Sequence, residues 1–358
     1  MSRFETWESW GPALTDADFA AFNATAWAEG FTDGLPLAVP TPARVAAVLG
    51  GIPPDRPVGR IPVRRRPVTA HDVAVQGAMA GLGPGALGVV IAALEAMQVP
   101  EFNLLGIGTT TGSATPALVV SGPVRHRARI QGGANALGPG PWANAAVGRT
   151  VRLVLQNLGG LAPGTVDMAT LGQPGKFTFC FGENSEESPW PSFAEARGFA
   201  PDDDVVTVVG VAGSLEVVPH ADTDPKDLLD TYALAGRAAG SLSVGGTTLG
   251  SGQVVVILPP EAAAILDRAG WSRADVQAYL YEALVVPVEA LAPGQRRLWE
   301  DAQAAAGLAP EPVVRAAAQP EDVLVVVAGG TGIKGAVLPT WGAPTRAVSR
   351  ALDPVLRA

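Results

Sequence analysis

Cysteine, histidine and lysine are all scarce in this chain of 358 residues: it has one cysteine, three histidines and three lysines. The lone Cys180 excludes an internal disulfide and any zinc or iron–sulfur centre built from several thiolates. His71, His126 and His220 show neither His-x-His nor His-Glu-x-x-His spacing, so no single element carries a zinc pair, and no metal is assigned. A site assembled from His71, His220 and Asp222 is the remaining histidine-based alternative. Charged residues make up 16% of the chain, against roughly 25% in an average soluble protein. The net charge is −9, and an acidic chain lacks the basic footprint that a phosphate backbone demands, so nucleic acid is not an expected partner. Long apolar runs are missing too. The most apolar stretch, Ala86 to Met97, contains Glu95 and falls short of the roughly 20 residues of a membrane span. The opening MSRFETWESW has no apolar signal-peptide core. The expectation is a cytoplasmic protein with no membrane partner.

Familiar catalytic signatures are absent as well. There is no Gly-x-Ser-x-Gly elbow for a serine triad, no dinucleotide fingerprint and no Walker loop, so no organic cofactor is expected. What the chain has in quantity is 43 glycines and 32 prolines, about a fifth of its length, without a three-residue period. An apolar content of 47% nevertheless supports a packed core.

Continuous apolar runs read as strands at Leu35–Val39, Phe102–Gly108, Pro116–Val120, Phe177–Phe181, Val205–Val211, Val254–Leu258 and Asp322–Ala328, with an extended piece at Ile61–Arg65. Helical spacing covers Leu14–Glu29, the segment opened by Thr41-Pro42, Thr69–Gly81, Pro84–Met97, Pro141–Leu158, Pro225–Ser241, Pro260–Ala269 and Ser272–Leu284. The alternation of these elements predicts an α/β fold, with mixed or parallel sheets and covering helices. Leu35–Pro42 echoes Val254–Pro260, and Leu104–Pro123, Val205–Pro219 and Leu324–Pro339 share one form, which raises duplicated or triplicated α/β units. The acidic stretch 183–204 suggests a division into regions 1–185 and 186–358, or a long functional loop within one compact domain, and 307–321 reads as a linker.

Three segments are candidates for chemistry. The turn Gly106 to Ser113 offers Thr109, Thr110, Thr111 and Ser113 beside unhindered backbone amides, which suits an anion. Gly329 to Gly335 is a parallel case that adds Lys334. The loop Gly132 to Asn144 carries Asn135 and Asn144 and leads into a helix whose Arg149, rather than Arg152, is the better placed anion clamp. The third segment holds Lys176, Cys180, Glu183, Glu186 and Glu187. Strand alternation puts Phe177, Phe179 and Phe181 on the core face and Cys180 on the other. There Cys180 could act as nucleophile with Lys176 lowering its pKa, and Glu183 or Glu186 could act as acid or base. Only three basic residues are lysines against 22 arginines. In a chain this arginine-biased, Lys176 and Lys334 in glycine-rich turns stand out as ammonium groups kept for a reason.

Asp33-Gly34-Leu35-Pro36, Asn135-Ala136-Leu137-Gly138-Pro139-Gly140 with Asn144, Gly148 and Arg149, Gly175-Lys176 through Cys180, and Glu183-Asn184 to Ser188-Pro189-Trp190 recur together in a pattern, continued by Ala269-Gly270-Trp271-Ser272 and Gly329-Gly330. In these segments the chain resembles a bacterial family of similar length associated with small UGSC-motif proteins, which carry selenocysteine or cysteine. The resemblance implies a redox or carbon–heteroatom bond context without fixing a reaction. The family pattern has cysteine after Ala-Gly where this chain has Ala80-Gly81-Leu82, which weighs against thiol redox chemistry. The leading expectation is therefore a hydrolase or lyase without organic cofactor, acting on a small anionic metabolite. The alternatives are an oxidoreductase component working with a thiol or selenol partner, and a non-catalytic binding or scaffold protein. Low charge points to a homo-oligomer in each case.

Overall fold

The computed structural model describes residues 15–220, 224–245, 252–309, 311–342 and 345–357. The N-terminal MSRFETWESW and Asp222 lie outside the described residues. Early helices begin where polar caps stand in the sequence. α1 (Asp16–Ala28) opens on a capping box of Thr15 and Asp18. α2 (Pro42–Leu49) has Thr41 as its cap and proline in its first turn. The antiparallel pair β1 (Pro57–Arg60) and β2 (Pro67–Thr69) leads to α3 (Ala70–Ala80), capped by Thr69 and Asp72. α4 (Leu87–Met97) is apolar around almost its whole circumference and buried to match. α5 (Leu104–Thr109) follows.

Three expectations for this region fail for identifiable reasons. Phe102–Gly108 is not a strand. Asn103 takes a left-handed conformation and its side chain accepts the Gly106 N–H at 3.2 Å, which starts a helix. Leu35–Val39 is extended but has no partner strand, because the Asn23 side chain takes both backbone groups of Leu37 and Met79 takes the Ala38 N–H. Ile61–Arg65 forms the turn between β1 and β2.

Beyond residue 110 the chain runs through β3 (Thr115–Ser121), α6 (Val124–Arg127), α7 (Trp142–Leu153), a wider π-helical continuation Val154–Gly159, β4 (Cys180–Gly182), α8 (Phe193–Ala196), β5 (Val205–Val211) and β6 (Leu215–Val217). It continues with α9 (Pro225–Gly245), β7 (Val254–Leu258), α10 (Pro260–Arg268), α11 (Arg273–Ala283), β8 (Val285–Pro287), α12 (Pro293–Ala305), β9 (Val313–Arg315), β10 (Val323–Val327), β11 (Gly335–Pro339) and β12 (Val348–Ala351). β9 interrupts the stretch 307–321 read as a linker and pairs with β8.

Two four-stranded sheets carry the architecture, in the orders β12-β5-β3-β4 and β10-β7-β11-β6. In the first, β3 is parallel to β4 and antiparallel to β5, which is antiparallel to β12. In the second, β7 is parallel to β10 and antiparallel to β11, which is antiparallel to β6. The pattern is the same twice, with β3, β4, β5 and β12 corresponding to β7, β10, β11 and β6. The fourth strand is exchanged: β6 leaves β5 to join the second sheet, and β12 leaves β11 to join the first. Helices follow the correspondence, since α4 packs on β5 and β12 while α9 packs on β11 and β6, and α7 packs on β4 while α11 packs on β10. Among the described residues one α/β arrangement thus occurs twice, the second copy opening with α9. The matching strands also differ from the echo in the sequence, because Val254–Pro260 corresponds to β3 and its exit and not to Leu35–Pro42.

Strand alternation explains the layers. Ala117, Val119, Phe179, Phe181, Val209 and Val211 of the first sheet share one apolar cluster with Val255, Ile257, Leu324, Val326 and Leu338 of the second. The sheets thus pack face to face. Leu118, Val120, Val206 and Val208 point the other way, into a core with α3, α4 and α7. Val254, Val256, Val323, Val325 and Val337 do the same with α9, α10 and α11. The result is four layers, helix–sheet–sheet–helix, and it answers the expected α/β class. No single helix among the described residues is long and apolar enough to cross a membrane. α4 and Pro100–Thr109 reach that length only together, bent by 83°.

Phe181 is fully buried between the sheets. Phe181→Ala is expected to cost about 3–5 kcal/mol of unfolding free energy, measured by urea denaturation. A loss below about 1 kcal/mol, of the size seen where a site can collapse, would contradict the face-to-face packing.

Candidate functional site

α7 links β3 to β4 and runs back across the sheet, so its two ends serve opposite sides of the molecule. From Asn144 to Arg152 the helix rises about 12 Å. The residues expected to form one site are divided between those ends.

At the start of α7, Asn144 is buried and fully engaged. Its Oδ1 accepts from Gln131 N at 2.9 Å, and its Nδ2 donates to Gln131 O at 2.8 Å and Ala136 O at 3.0 Å. It fixes the preceding loop and has no free group for a ligand. Asn135 is exposed in a left-handed turn of that loop. Glu183 accepts from Ser121 Oγ at 2.6 Å and from the Phe193 N–H, so it ties β3, β4 and α8 together. Glu186 is held by Arg125 and by His126. Burial alone would raise the Glu186 carboxyl, but its own backbone N–H, Arg125 and His126 together bring it below its ordinary value. Asn184 N donates to Val327 O at 2.8 Å, which brings the ends of β4 and β10 together. Lys334 is exposed in the nearby 329–335 loop and makes no hydrogen bond or ion pair with the described residues.

Cys180 is not placed as a nucleophile. It lies in the apolar cluster under α3, α4 and α7, and burial pushes its thiol well above the ordinary range. Alternation does turn Phe179 and Phe181 away from it, yet both faces of β4 are core because the second sheet covers one and helices the other. Phe177 precedes the strand and is 44% exposed. Lys176 does not lower the Cys180 pKa; its Nζ donates to Asp167 Oδ1 at 2.7 Å instead.

That ion pair belongs to a cleft at the other end of α7. The cleft has a volume of about 320 Å³, and its lining includes Asp33, Arg152, Gln156, Asp167, Gln173 and Lys176. Its floor is Asp167, 7% exposed, bonded by Lys176 on one oxygen and by Arg152 Nη1 on the other at 3.2 Å. Ala169 N adds a third donor at 3.3 Å. Gln156 Nε2 is committed to Gly30 O and Thr32 O, leaving Oε1 buried without a partner. One wall is the bidentate pair of Arg149 and Asp33, with N–O distances of 2.7 and 2.8 Å. Arg149 also donates to Pro36 O at 3.0 Å. Its Nε and Nη2 bind the Asp33-Gly34-Leu35-Pro36 turn, which braces Asp33 at the cleft, while Arg152 reaches Asp167. Close approach makes this geometry possible: a Cβ on Gly148 would lie 2.5 Å from Phe179 N, so only glycine lets α7 sit against the segment leading into β4.

The hydroxyls of 109–113 border the cleft from behind. Thr109 Oγ1 donates to Leu105 O at 2.8 Å and Thr110 Oγ1 accepts from Gly112 N at 3.0 Å. Thr111 O accepts from Thr170 N at 2.8 Å and Ser113 Oγ donates to Gly172 O at 3.2 Å. The Thr109 and Thr110 hydroxyls bond within their own turn, whereas the Thr111 carbonyl and the Ser113 hydroxyl anchor the segment 167–173. The turn holding them closes a helix, α5, so its amides are not presented at a strand end.

No family model, curated protein or solved structure matches the chain. Its chemistry is therefore read from the cleft. Among the described residues no group of three His, Cys, Asp or Glu side chains is placed to hold a metal; of the His71, His220 and Asp222 alternative, Asp222 lies outside the described residues. Part of the cleft has a signature in the sequence that composition and motif reasoning passed over. Arg149 and Arg152 stand at helical spacing i, i+3, and Gln156 follows Arg152 at i+4, which places all three on one face. Asp167 has no local signal.

The Glu183 carboxyl is raised by burial, against the opposing hydrogen bonds of Ser121 and Phe193 and the charges of Arg273 and Arg125. A carboxyl that holds its proton more tightly in the folded state contributes fully at low pH, and that contribution is lost as pH rises through the raised value. Glu183→Gln cannot ionise, so its stability is expected to fall less than that of the parent between mildly acidic and neutral buffer. Urea unfolding in both buffers measures this, and parallel pH dependences would contradict the raised carboxyl.

Proposed function

We propose that the chain is an enzyme that binds a small carboxylate-bearing metabolite in the cleft and cleaves a carbon–heteroatom bond by hydrolysis or elimination. The observation that carries this reading is the convergence of two cations, Arg152 and Lys176, on the single buried carboxylate of Asp167 at the base of a cleft of about 320 Å³. That volume is at the lower end of the range for small-molecule sites. Two cations sharing one anion leave a positive balance for an anionic ligand.

Roles follow from the chemistry of the side chains. Arg152 offers a planar pair of donors suited to a carboxylate. Lys176 carries a compact ammonium and serves as general acid, giving its proton to the heteroatom as that atom departs with the bonding electron pair. Hydrolysis and elimination differ in what then supplies electrons to the carbon, an attacking water or a neighbouring C–H bond whose proton passes to solvent. Asp167 orients both cations. Cys180 takes no part, and a thiol or selenol partner has no exposed thiol to meet on the described residues.

Thermal-shift screening of small hydroxy-, amino- and phospho-carboxylates tests this reading. A ligand that stabilises the parent protein is expected to lose at least about tenfold in affinity in Arg152→Met and in Lys176→Met, about the 1.5–3 kcal/mol of a charge-assisted hydrogen bond. Cys180→Ala is expected to keep the parent affinity. Binding that survives both cleft variants and disappears with Cys180→Ala would overturn the assignment.

A further inference from the structure

A second cavity, of about 270 Å³, lies along the open edge of β10, away from the cleft. Its walls come from both halves of the duplicated fold. α8 supplies Phe193 and Ala196, with Arg197 just beyond its end, and α11 supplies Arg273 and Gln277. Glu321, Leu324 and Val325 complete it.

Both arginines are held firmly by bonds that leave part of each guanidinium unused. Arg273 is 7% exposed. Its Nη1 donates to Pro191 O at 2.6 Å and Ser192 O at 3.1 Å, and its guanidinium lies 5.8 Å from the centre of the Trp190 ring. Its Nε and Nη2 are buried and have no partner. Arg197 donates through Nε to Ser349 Oγ at 2.5 Å and through Nη2 to Ala347 O at 3.1 Å. The acids around them are committed elsewhere. Asp322 pairs with Arg346 at 2.9 Å and accepts from Gln253 at 2.9 Å. Glu195 caps α8 through Ser192 N at 2.7 Å, and Glu183 is held by Ser121 and Phe193. Glu321 is the one lining carboxylate, and it is exposed. Buried guanidinium N–H groups without acceptors are costly and uncommon, and here two of them belong to an arginine that walls a cavity.

We propose that this cavity is a second binding site, taking a small oxyanion, carboxylate or phosphate, between Arg197 and Arg273. Arg273 brings positive charge to the cavity wall and is held in place by the Pro191 and Ser192 carbonyls. Arg197 supplies the facing charge from the first half of the fold. A bound oxyanion would therefore couple α8 to α11 and stiffen the junction between the halves.

Calorimetric titration of the full chain with inorganic phosphate, and separately with malonate, at low ionic strength tests the site. The expected result is saturable binding of at least one probe, and which probe binds distinguishes a phosphoryl from a carboxylate ligand. Ala196 is exposed on α8, so Ala196→Trp fills the cavity with little risk to folding and is expected to weaken binding at least about tenfold, as is Arg197→Met, each removing a charge-assisted contact or the space for it. Lys176→Met, in the cleft, is expected to leave this binding unchanged. Absence of saturable binding by both probes would overturn the proposal, as would unchanged affinity in both cavity variants, the outcome for an adventitious ion only. Binding abolished by Lys176→Met alone would assign the ion to the cleft, rejecting this site while leaving the proposed function standing.

Discussion

Strands that are apolar on both faces need cover on both, and the arrangement of this molecule follows from that requirement. Val205–Val211 and Val254–Leu258 are buried at every position. A single sheet with helices on one side would leave half of those side chains in water. Packing two such sheets against each other and placing helices outside each satisfies every face. Exchange of β6 and β12 ties the sheets further, since each half must complete the other. The ends of β5 and β11 are bonded as well, through Ala212 N to Pro339 O at 2.7 Å and Trp341 N to Gly210 O at 2.9 Å.

This arrangement decides where polar chemistry can reside. The space between the sheets is filled by Phe179, Phe181 and branched aliphatic residues, and the space under the helices is equally apolar. Polar groups are left to the ends of the strands and to the outer edges. α7 then separates those groups, carrying Asn144 to one end and Arg152 to the other. Strand β4 carries Cys180 through the middle, where a thiol is a small apolar filler.

Charge is handled sparingly. Ionisable residues are few, and the buried carboxylates each gather specific partners. Asp33 fixes Arg149, Asp167 gathers Arg152 and Lys176, and Asp204 receives Arg127, Arg357 and the Val124 N–H. Two cations meet one anion at Asp167 and again at Asp204, and Arg273 keeps N–H groups without a partner.

Local signals determined much of the fold. Thr15, Thr41-Pro42, Thr69 and Ser272 mark helix starts because a side-chain oxygen beside unpaired N–H groups is a local matter, and unbroken valine runs mark buried strands. Short elements such as β6, β11 and β12 escaped, since three to five residues carry too little periodicity to declare themselves. Lys176 was legible as a functional candidate from the rarity of lysine alone. The cleft around it was not, because Asp33, Arg152 and Asp167 are gathered there by the crossing of α7 and the return of the 160–175 segment. The tertiary structure also decided the setting of Cys180: alternation put it on the face opposite Phe179 and Phe181, but whether that face meets solvent or core depends on a helical layer contributed by α3, α4 and α7. Sequence thus decided which chemical groups exist and how each short segment starts and turns. Only packing, through the need to cover both faces of each sheet, decided which groups meet.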